Sequence, residues 1–144
     1  MMLDERQYFD VQKLLENQKE EIAKIKFHIS MLNNYQNYVN NPIGSLVIEF
    51  DWSEENLDKA HDIFEKYDKK ILEGGLDGNL HSLMEKDFNE DLNLGYQEVK
   101  SVVLAFFRES RWVTVCVEFV KSYEYEPVEF SEITSYIKKL NQQS

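Results

Sequence analysis

Two histidines each have a glutamate four residues further along the chain, His61 with Glu65 and His81 with Glu85. On a helix this spacing brings both side chains to one face, where an imidazole and a carboxylate can hold a metal ion or act as a base and its orienting group. A zinc-protease helix needs two histidines at that spacing, and neither segment has them. We therefore predict no metal site and expect both histidines to be surface residues beside acids.

The sequence also lacks the motifs of covalent and nucleotide chemistry. It has no G-x-S-x-G elbow, and its five glycines form neither G-x-G-x-x-G nor a phosphate-binding loop. The one cysteine, Cys116, lies in a predicted strand without the electropositive setting that activates a thiol. We predict a non-catalytic protein with no catalytic residue and no cofactor.

Carboxylates are the strongest chemical signal. At 100° per residue Glu54, Asp58, Asp62 and Glu65 share one stripe of a predicted helix. Like charges four residues apart destabilise a helix by about 0.2–0.5 kcal/mol per pair, so folding alone does not favour this arrangement. The stripe is therefore predicted to bind a basic protein partner. The alternative is a solvated face on which lysines four residues further along neutralise Asp62 and Glu65.

Aromatic residues add a second candidate for partner binding. The chain contains two Trp, eight Tyr and nine Phe. Trp52 precedes the acidic helix, and Tyr123 and Tyr125 lie in a segment that Pro127 marks as a strand edge or strand end. Because Tyr and Trp bury much area and keep a polar group, they are frequent interface anchors. We predict that Trp52, Tyr123 and Tyr125 contact the partner together with the acidic stripe.

Charge and composition limit the class of protein further. With 27 acidic and 16 basic side chains the net charge of the 144 residues is −11, which disfavours direct contact with nucleic acid or anionic membranes. Residues 1–40 hold six acids and five bases, which leaves 21 acids and 11 bases for residues 41–144. The single cysteine, the absence of a secretory signal and the absence of an apolar run of about 20 residues predict a cytoplasmic protein.

The fold predicted from these residues is a single α+β domain, 1–144, whose core over 45–144 is acidic and contains a small, mainly antiparallel sheet. Its strands are expected near 45–51, 97–107 and 112–121. In the last of these Val113, Val115, Val117 and Phe119 alternate with other residues, as in a half-buried strand. The run 97–107 fits a helix as well, and its β-branched content and the short connection to the next run favour a strand.

A long N-terminal helix or helical hairpin is expected over residues 1–40. Apolar residues and two glutamines alternate three and four apart, forming an a/d seam. The seam packs on the rest of the domain or pairs with a partner helix, which allows a homodimer, and the helix bends back or stops near Asn33 and Asn34 if it packs locally. The seam residues are Tyr8, Val11, Leu15, Gln18, Ile22, Ile25, Ile29, Leu32, Gln36 and Val39.

Three further helices are predicted. Ser53 is an N-cap for a helix to about Leu72, which Gly74 and Gly75 end. A short helix follows within 76–91, and Ser131 is expected to cap a last helix.

Charge segregation without catalytic machinery predicts an inhibitory binding protein of the immunity-protein or antitoxin type, whose partner is a basic protein such as a nuclease toxin. The alternatives are a phage-type inhibitor that mimics nucleic acid and a coiled-coil structural or adaptor subunit.

Overall fold

The computed structural model describes residues 4–143, without the side chains of residues 33–39, and that part of the chain is helical. The predicted α+β class is wrong, because the described residues form helices and connecting turns and no strand. Seven α-helices and one 3-10 helix occur within residues 4–143. They are α1 Glu5–Asn40, α2 Pro42–Glu49, α3 Glu54–Glu73, α4 Leu80–Leu92, α5 Tyr96–Arg108, α6 Val113–Lys121, the 3-10 helix Val128–Phe130 and α7 Ser131–Gln142.

The chain divides into two compact units, Met1–Gln36 and Asn37–Ser144. Helix α1 has 36 residues and a length of about 54 Å, and it runs through Asn33 and Asn34 instead of stopping or turning back there. Of the two predicted alternatives, the long helix is therefore correct and the helical hairpin is wrong. The predicted seam positions Gln36 and Val39 lie outside the residues whose side chains the structure describes.

In the second unit α6 is the central element. It packs against α3, α4, α5 and α7, while α2 packs against α5. Five of its nine residues are buried, namely Val115, Cys116, Val117, Phe119 and Val120. A helix that is apolar on nearly every side needs neighbours on nearly every side, which is the position that α6 occupies.

The strand predicted at 112–121 is α6, and the error has a physical cause. Thr114 and Lys121 are exposed and Glu118 is half-buried, and these polar residues are four and three apart along the chain. That spacing is helical, whereas the alternation of valines that predicted a strand is an accident of a sequence in which most positions are buried. β-Branched residues lower helix propensity only slightly, so packing of the buried side chains determines the conformation.

The strand predicted at 97–107 is α5. Its buried residues Val99, Val102, Val103 and Phe106 have the spacing of one helical face, which is the alternative that the sequence left open. Glu98 accepts a hydrogen bond from the backbone N–H of Gly95 at 3.0 Å and so caps the first turn. The preference for β-branched residues in strands therefore led to the wrong choice between two patterns that both fitted.

The strand predicted at 45–51 is occupied by α2 and the turn after it. Pro42 stands in the first turn, where its fixed φ suits a helix and its missing N–H is not needed. Glu109 Oε2 accepts a hydrogen bond at 2.7 Å from the backbone N–H of Ile43, one of the donors that a helix N-terminus leaves free. The proline that appeared to separate two elements therefore starts the second one.

Four helices end in the same way, with one residue in the left-handed region. Gly74 closes α3 at φ 68°, as its sequence predicts, and Asp51, Asn93 and Ser110 do the same after α2, α4 and α5 at φ 53°, 56° and 58°. After α2, α3 and α5 the next N–H reaches back five residues, for example from Arg111 to the Phe106 carbonyl at 2.9 Å, whereas after α4 the Leu94 N–H reaches back six residues to the Phe88 carbonyl at 3.3 Å. The five-residue pattern is a Schellman motif, and two of its three instances lack the glycine that makes it visible in a sequence.

The other helix predictions are confirmed in substance. Ser53 caps α3 and forms a reciprocal pair with Asn56, whose backbone N–H donates to Ser53 Oγ at 3.1 Å. The short helix within 76–91 is α4, and the last helix is α7. The prediction that Ser131 caps α7 is wrong, because Ser131 is its first helical residue and makes no capping bond through its side chain.

None of the helices described in residues 4–143 is both long and apolar enough to cross a membrane.

Candidate functional site

The four carboxylates of the predicted stripe all lie exposed on α3. Ser53 fixes where the helix starts, and the apolar residues Ala60, Ile63, Phe64 and Tyr67 turn the opposite face into the core. The helical repeat then brings the acids to solvent as a single row. We call this row the acidic stripe, and it consists of Glu54, Asp58, Asp62 and Glu65.

The lysine expected to neutralise Asp62 is used elsewhere. Lys66 Nζ lies 2.7 Å from Asp87 Oδ2 on α4, and the hydroxyl of Tyr67 donates to the same oxygen at 2.5 Å. Burial works to raise the pKa of the Asp87 carboxyl, but the hydrogen bonds from Lys66 and Tyr67 outweigh it and hold that pKa below its usual range. Burial and the bond to Asp87 raise the pKa of Tyr67. This three-residue link between α3 and α4 draws Lys66 away from the stripe.

Three members of the acidic stripe lack a counter-ion in the part of the chain that the structure describes. Within residues 4–143 the structure forms no ion pair with Glu54, Asp58 or Asp62. Glu65 differs, because its carboxylate lies 4.0 Å from Lys69 Nζ and accepts a long hydrogen bond, 3.4 Å, from Trp112 Nε1. The stripe therefore presents three free carboxylates and one that is tied to the fold.

Trp52 lies in a cleft at the N-terminal end of the stripe. The cleft has a volume of about 430 Å³ and is formed by the end of α2, the start of α3 and the connection from α4 to α5. Glu49, Asp51 and Glu98 contribute carboxylates to it, and the rings of Trp52 and Phe50 pack together with centroids 5.7 Å apart. The full lining is Glu49, Phe50, Asp51, Trp52, Asn56, Leu92, Asn93, Leu94 and Glu98.

Sequence reasoning missed the acids of this cleft. Glu49 and Asp51 appeared as the end of a strand, and Glu98 as part of another. In the structure the left-handed conformation of Asp51 ends α2 and leads directly to Trp52. An aspartate just before Trp52 and the Ser53 cap was the available signal, since Asp is one of the few residues that accept this conformation.

A second aromatic group lies beside the middle of the stripe. The ring of Trp112 is 5.6 Å from those of His61 and Phe64, and the Arg111 guanidinium lies over it at 5.1 Å. Trp112 itself has φ 48° and stands immediately before α6. Sequence reasoning had no ground for singling out Arg111 or Trp112, because both appeared to belong to a hairpin.

His61 is half-buried in this group, which contradicts the expectation of a surface histidine. Burial lowers the pKa of its imidazole, and the charge of Arg111 lowers it further, while Asp58 and Asp62 act in the opposite direction. Its Nε2 is buried and has no hydrogen-bond partner within the described residues. The imidazole is thus kept neutral by its surroundings and does not pair with Glu65, which bonds to Trp112 instead.

Tyr123 belongs to a different part of the fold. Its ring stacks on His81 with centroids 3.8 Å apart, and its hydroxyl donates to Glu85 Oε1 at 2.9 Å, so both members of the second histidine–glutamate pair bind it. Its ring also contacts Phe119 and Phe130, and Lys100 Nζ lies 5.8 Å from its centroid. None of these contacts reaches α3, so they do not join Tyr123 to the acidic stripe.

Ser122 beside His81 resembles a nucleophile and its base, but its proton has another partner. Ser122 Oγ donates to the Phe119 carbonyl at 2.6 Å, since a carbonyl can only accept. The same oxygen accepts from the His81 backbone N–H at 3.0 Å and lies 2.9 Å from His81 Nδ1, which must therefore carry a proton. Because the Ser122 hydroxyl donates to a carbonyl and His81 Nδ1 is a donor, His81 cannot take the hydroxyl proton, and Ser122 is not activated for attack.

Tyr125 and Cys116 lie at opposite extremes of exposure. Tyr125 is 82% exposed, and Cys116 is fully buried in α6. Burial raises the pKa of the Cys116 thiol to about 12, so it remains protonated at neutral pH. Residues 4–143 contain no group of three or more His, Cys, Asp or Glu side chains placed to hold a metal ion.

Comparisons of the chain with protein-family models, with curated proteins and with solved structures found no match.

Proposed function

We propose that the second unit is an inhibitory binding domain of the immunity-protein or antitoxin type, which covers a basic surface of a partner protein with the acidic stripe and the adjoining cleft. The observation that carries the proposal is the position of Lys66. Because it bonds to Asp87, Asp62 remains without a counter-ion, and within residues 4–143 Glu54 and Asp58 form no ion pair either. A basic partner supplies the missing charges.

Folding provides no reason for such a row. Glu54 and Asp58, and then Asp58 and Asp62, are like-charge pairs four residues apart, each unfavourable by about 0.2–0.5 kcal/mol. None of the three acids forms a hydrogen bond or an ion pair that stabilises the described structure. Only Glu54, in the first turn of α3, gains from the helix dipole. A binding role accounts for the other two.

The cleft suits a cationic side chain of the partner. A lysine or arginine entering it meets the carboxylates of Glu49 and Asp51 and the ring of Trp52, which supports ion pairing and a cation–π contact at one place. Such an anchor next to a row of charges has the composition of a hot spot with a polar rim. Tyr123 and Tyr125 are separate candidates, and Tyr125 has the exposed ring that a contact requires.

Charge supports rapid capture of a basic partner. Residues 41–144 hold 21 of the 27 acids, and the net charge is −11, so the field of the molecule attracts cationic proteins and repels nucleic acid. Association rates of such pairs fall steeply as salt is added. A reducing cytoplasm is the compartment that we propose, in keeping with a lone buried thiol.

Inhibition can be tested separately from binding. The protein is immobilised, the basic proteins that it retains from a lysate of the native host are recovered, and their enzymatic activity, nuclease activity first, is measured with and without the free protein. We expect stoichiometric loss of one activity. A retained partner that keeps full activity while bound shows that the domain is an adaptor and contradicts the inhibitory role.

A further inference from the structure

The side chains described in the first unit have no second element of that unit to pack against. The unit is one helix, and all its described side chains from Asp4 to Leu32 are exposed. The apolar seam residues are 42–64% exposed: Tyr8, Val11, Leu15, Ile22, Ile25, Ile29 and Leu32. From Tyr8 to Leu32 the seam is apolar at every position except Gln18, and a long helix with such a seam is the usual building block of a coiled coil.

We propose that α1 pairs in parallel and in register with α1 of a second copy of this chain. This pairing involves the first unit and is independent of the partner proposed for the second. Two features favour a second copy of α1 as the partner helix and a parallel orientation of the two helices. They are the charged residues beside the seam and Gln18 within it.

The charged residues beside the seam attract those of a second copy in a parallel pair and repel them in an antiparallel pair. With Ile22 at an a position, Glu21 occupies g, and Lys19 and Lys26 occupy e. In a parallel pair the g residue of one helix faces the e residue of the next heptad on the other. Glu21 of each copy therefore faces Lys26 of the other copy, and the dimer contains two such pairs of opposite charge. In the antiparallel pair centred on the full seam, which sets Tyr8 opposite Val39 of the second copy, e faces e, and Lys19 meets Lys26 of the second copy with like charge.

Gln18 favours the same arrangement. It occupies a d position, and in a parallel, in-register pair it faces Gln18 of the second copy, so that the two amides can bond to each other. In the centred antiparallel pair it faces Ile29, and the amide loses its hydrogen-bond partner. A polar residue at one seam position is a common device for fixing register.

The size of the seam sets the expected strength. From Tyr8 to Leu32 it runs roughly 36 Å, and a strip about 10 Å wide on each helix amounts to about 700 Å² in flat area over two copies. Interdigitated side chains enlarge this toward the lower end of specific interfaces, about 1,200 Å². The dimer is therefore expected in a concentration-dependent equilibrium with the monomer.

Sedimentation equilibrium of the full chain tests the pairing. The mass is expected to rise with concentration from 17.2 kDa toward twice that value. The variant Ile22→Glu/Ile29→Glu is expected to stay monomeric, whereas the control Phe27→Glu/Met31→Glu, which adds the same charge off the seam, is expected to dimerise like the unchanged chain. A chain that is monomeric at every concentration, or a control that dissociates as the seam variant does, overturns the proposal.

Charge exchange tests the direction. In a parallel pair Glu21→Lys and Lys26→Glu each weaken the homodimer, and a mixture of the two variants forms the heterodimer in preference to either homodimer, because both cross pairs become attractive. The centred antiparallel pair predicts the opposite for Lys26→Glu, which would then face Lys19 and strengthen the homodimer. That strengthening refutes the parallel arrangement, and neither experiment requires the basic partner.

Discussion

Lys66 on α3 bonds to Asp87 on α4 at 2.7 Å, and not to Asp62 on its own helix. The same oxygen of Asp87 accepts a hydrogen bond from the hydroxyl of Tyr67, so one half-buried carboxylate is bound by two consecutive residues of α3. This link helps to hold α4 against α3. It also removes the cation that the helical spacing placed beside Asp62, which is left without an ion pair within the described residues.

If the stripe serves binding and not folding, neutralising it should not weaken the fold. The variant Glu54→Gln/Asp58→Asn/Asp62→Asn removes two like-charge pairs of about 0.2–0.5 kcal/mol each and one favourable dipole contact of about 0.3–1 kcal/mol. We expect the free energy of unfolding in urea at low salt to change by less than about 0.5 kcal/mol.

The matched control removes three exposed acids elsewhere on the second unit, with Glu73→Gln/Asp77→Asn/Glu90→Gln. It has the same net charge as the stripe variant, so any general effect of charge appears in both. A loss of more than about 1.5 kcal/mol confined to the stripe variant would mean that the stripe stabilises the fold, and the case for a binding role would fail.

Asp87 makes stability sensitive to acid. Its folded pKa lies below its unfolded value, so its contribution is present above the unfolded pKa of about 3.9 and is lost as the pH falls through the folded pKa. We expect Asp87→Asn to cost about 1–2 kcal/mol at neutral pH and to flatten the loss of stability between about pH 5 and pH 2. Urea unfolding across that range measures both effects. If Asp87→Asn loses stability between these pH values as steeply as the unchanged protein does, the bonds of Asp87 to Lys66 and Tyr67 do not stabilise the fold.

His61 makes stability sensitive to pH in a higher range. Its folded pKa lies below the unfolded value of about 6.5, so the unfolded chain takes up the proton first and stability falls as the pH decreases from about 7 through the folded pKa. His61→Phe keeps a ring against Phe106 and Trp112 and cannot titrate. We expect the variant to lose less stability than the unchanged protein between pH 7 and pH 5, and parallel curves would show that His61 is not the group responsible.

A substitution at Ser110 tests the left-handed conformation of the turn that joins α5 and α6. At φ 58° a serine is strained by about 1–2 kcal/mol relative to glycine, and glycine loses part of this gain through its greater freedom in the unfolded chain. We expect Ser110→Gly to raise the free energy of unfolding by a few tenths to about 1 kcal/mol. The control Ser101→Gly, on the exposed face within α5, should lower it by about 0.5 kcal/mol, and two losses of equal size would contradict this turn geometry.

The same turns explain how much of the fold the sequence could predict. Helix α3 was predicted with its ends because Ser53 and Gly74 are conventional signals. Asp51 and Ser110 end their helices as Gly74 does, but neither residue is a conventional stop signal. The sequence therefore did not mark the C-terminal ends of α2 and α5, and both segments were predicted as strands. In α6 only three polar residues, Thr114, Glu118 and Lys121, indicate the helical period, and the alternation of valines outweighed them in the prediction.

Prediction of the candidate site was limited by contacts between elements. The helical repeat was enough to align Glu54 with Asp62 on one face. It could not show that Lys66 leaves that face, because the partner Asp87 lies 21 residues away on another helix. Trp112 escaped notice for the same reason, since only the packing of α6 on α3 brings its ring to Glu65.

The most direct test of the acidic stripe is a comparison of what three immobilised proteins retain from a lysate of the native host: the unchanged chain, the Glu54→Gln/Asp58→Asn/Asp62→Asn variant and the control with three acids replaced elsewhere. Retained proteins are quantified by mass spectrometry at low and high salt. We expect a basic protein to be held by the unchanged chain and the control, at least about tenfold less by the stripe variant, and less by all three in high salt. Equal retention by the stripe variant, or no basic protein that distinguishes the three, would contradict a binding role for the stripe.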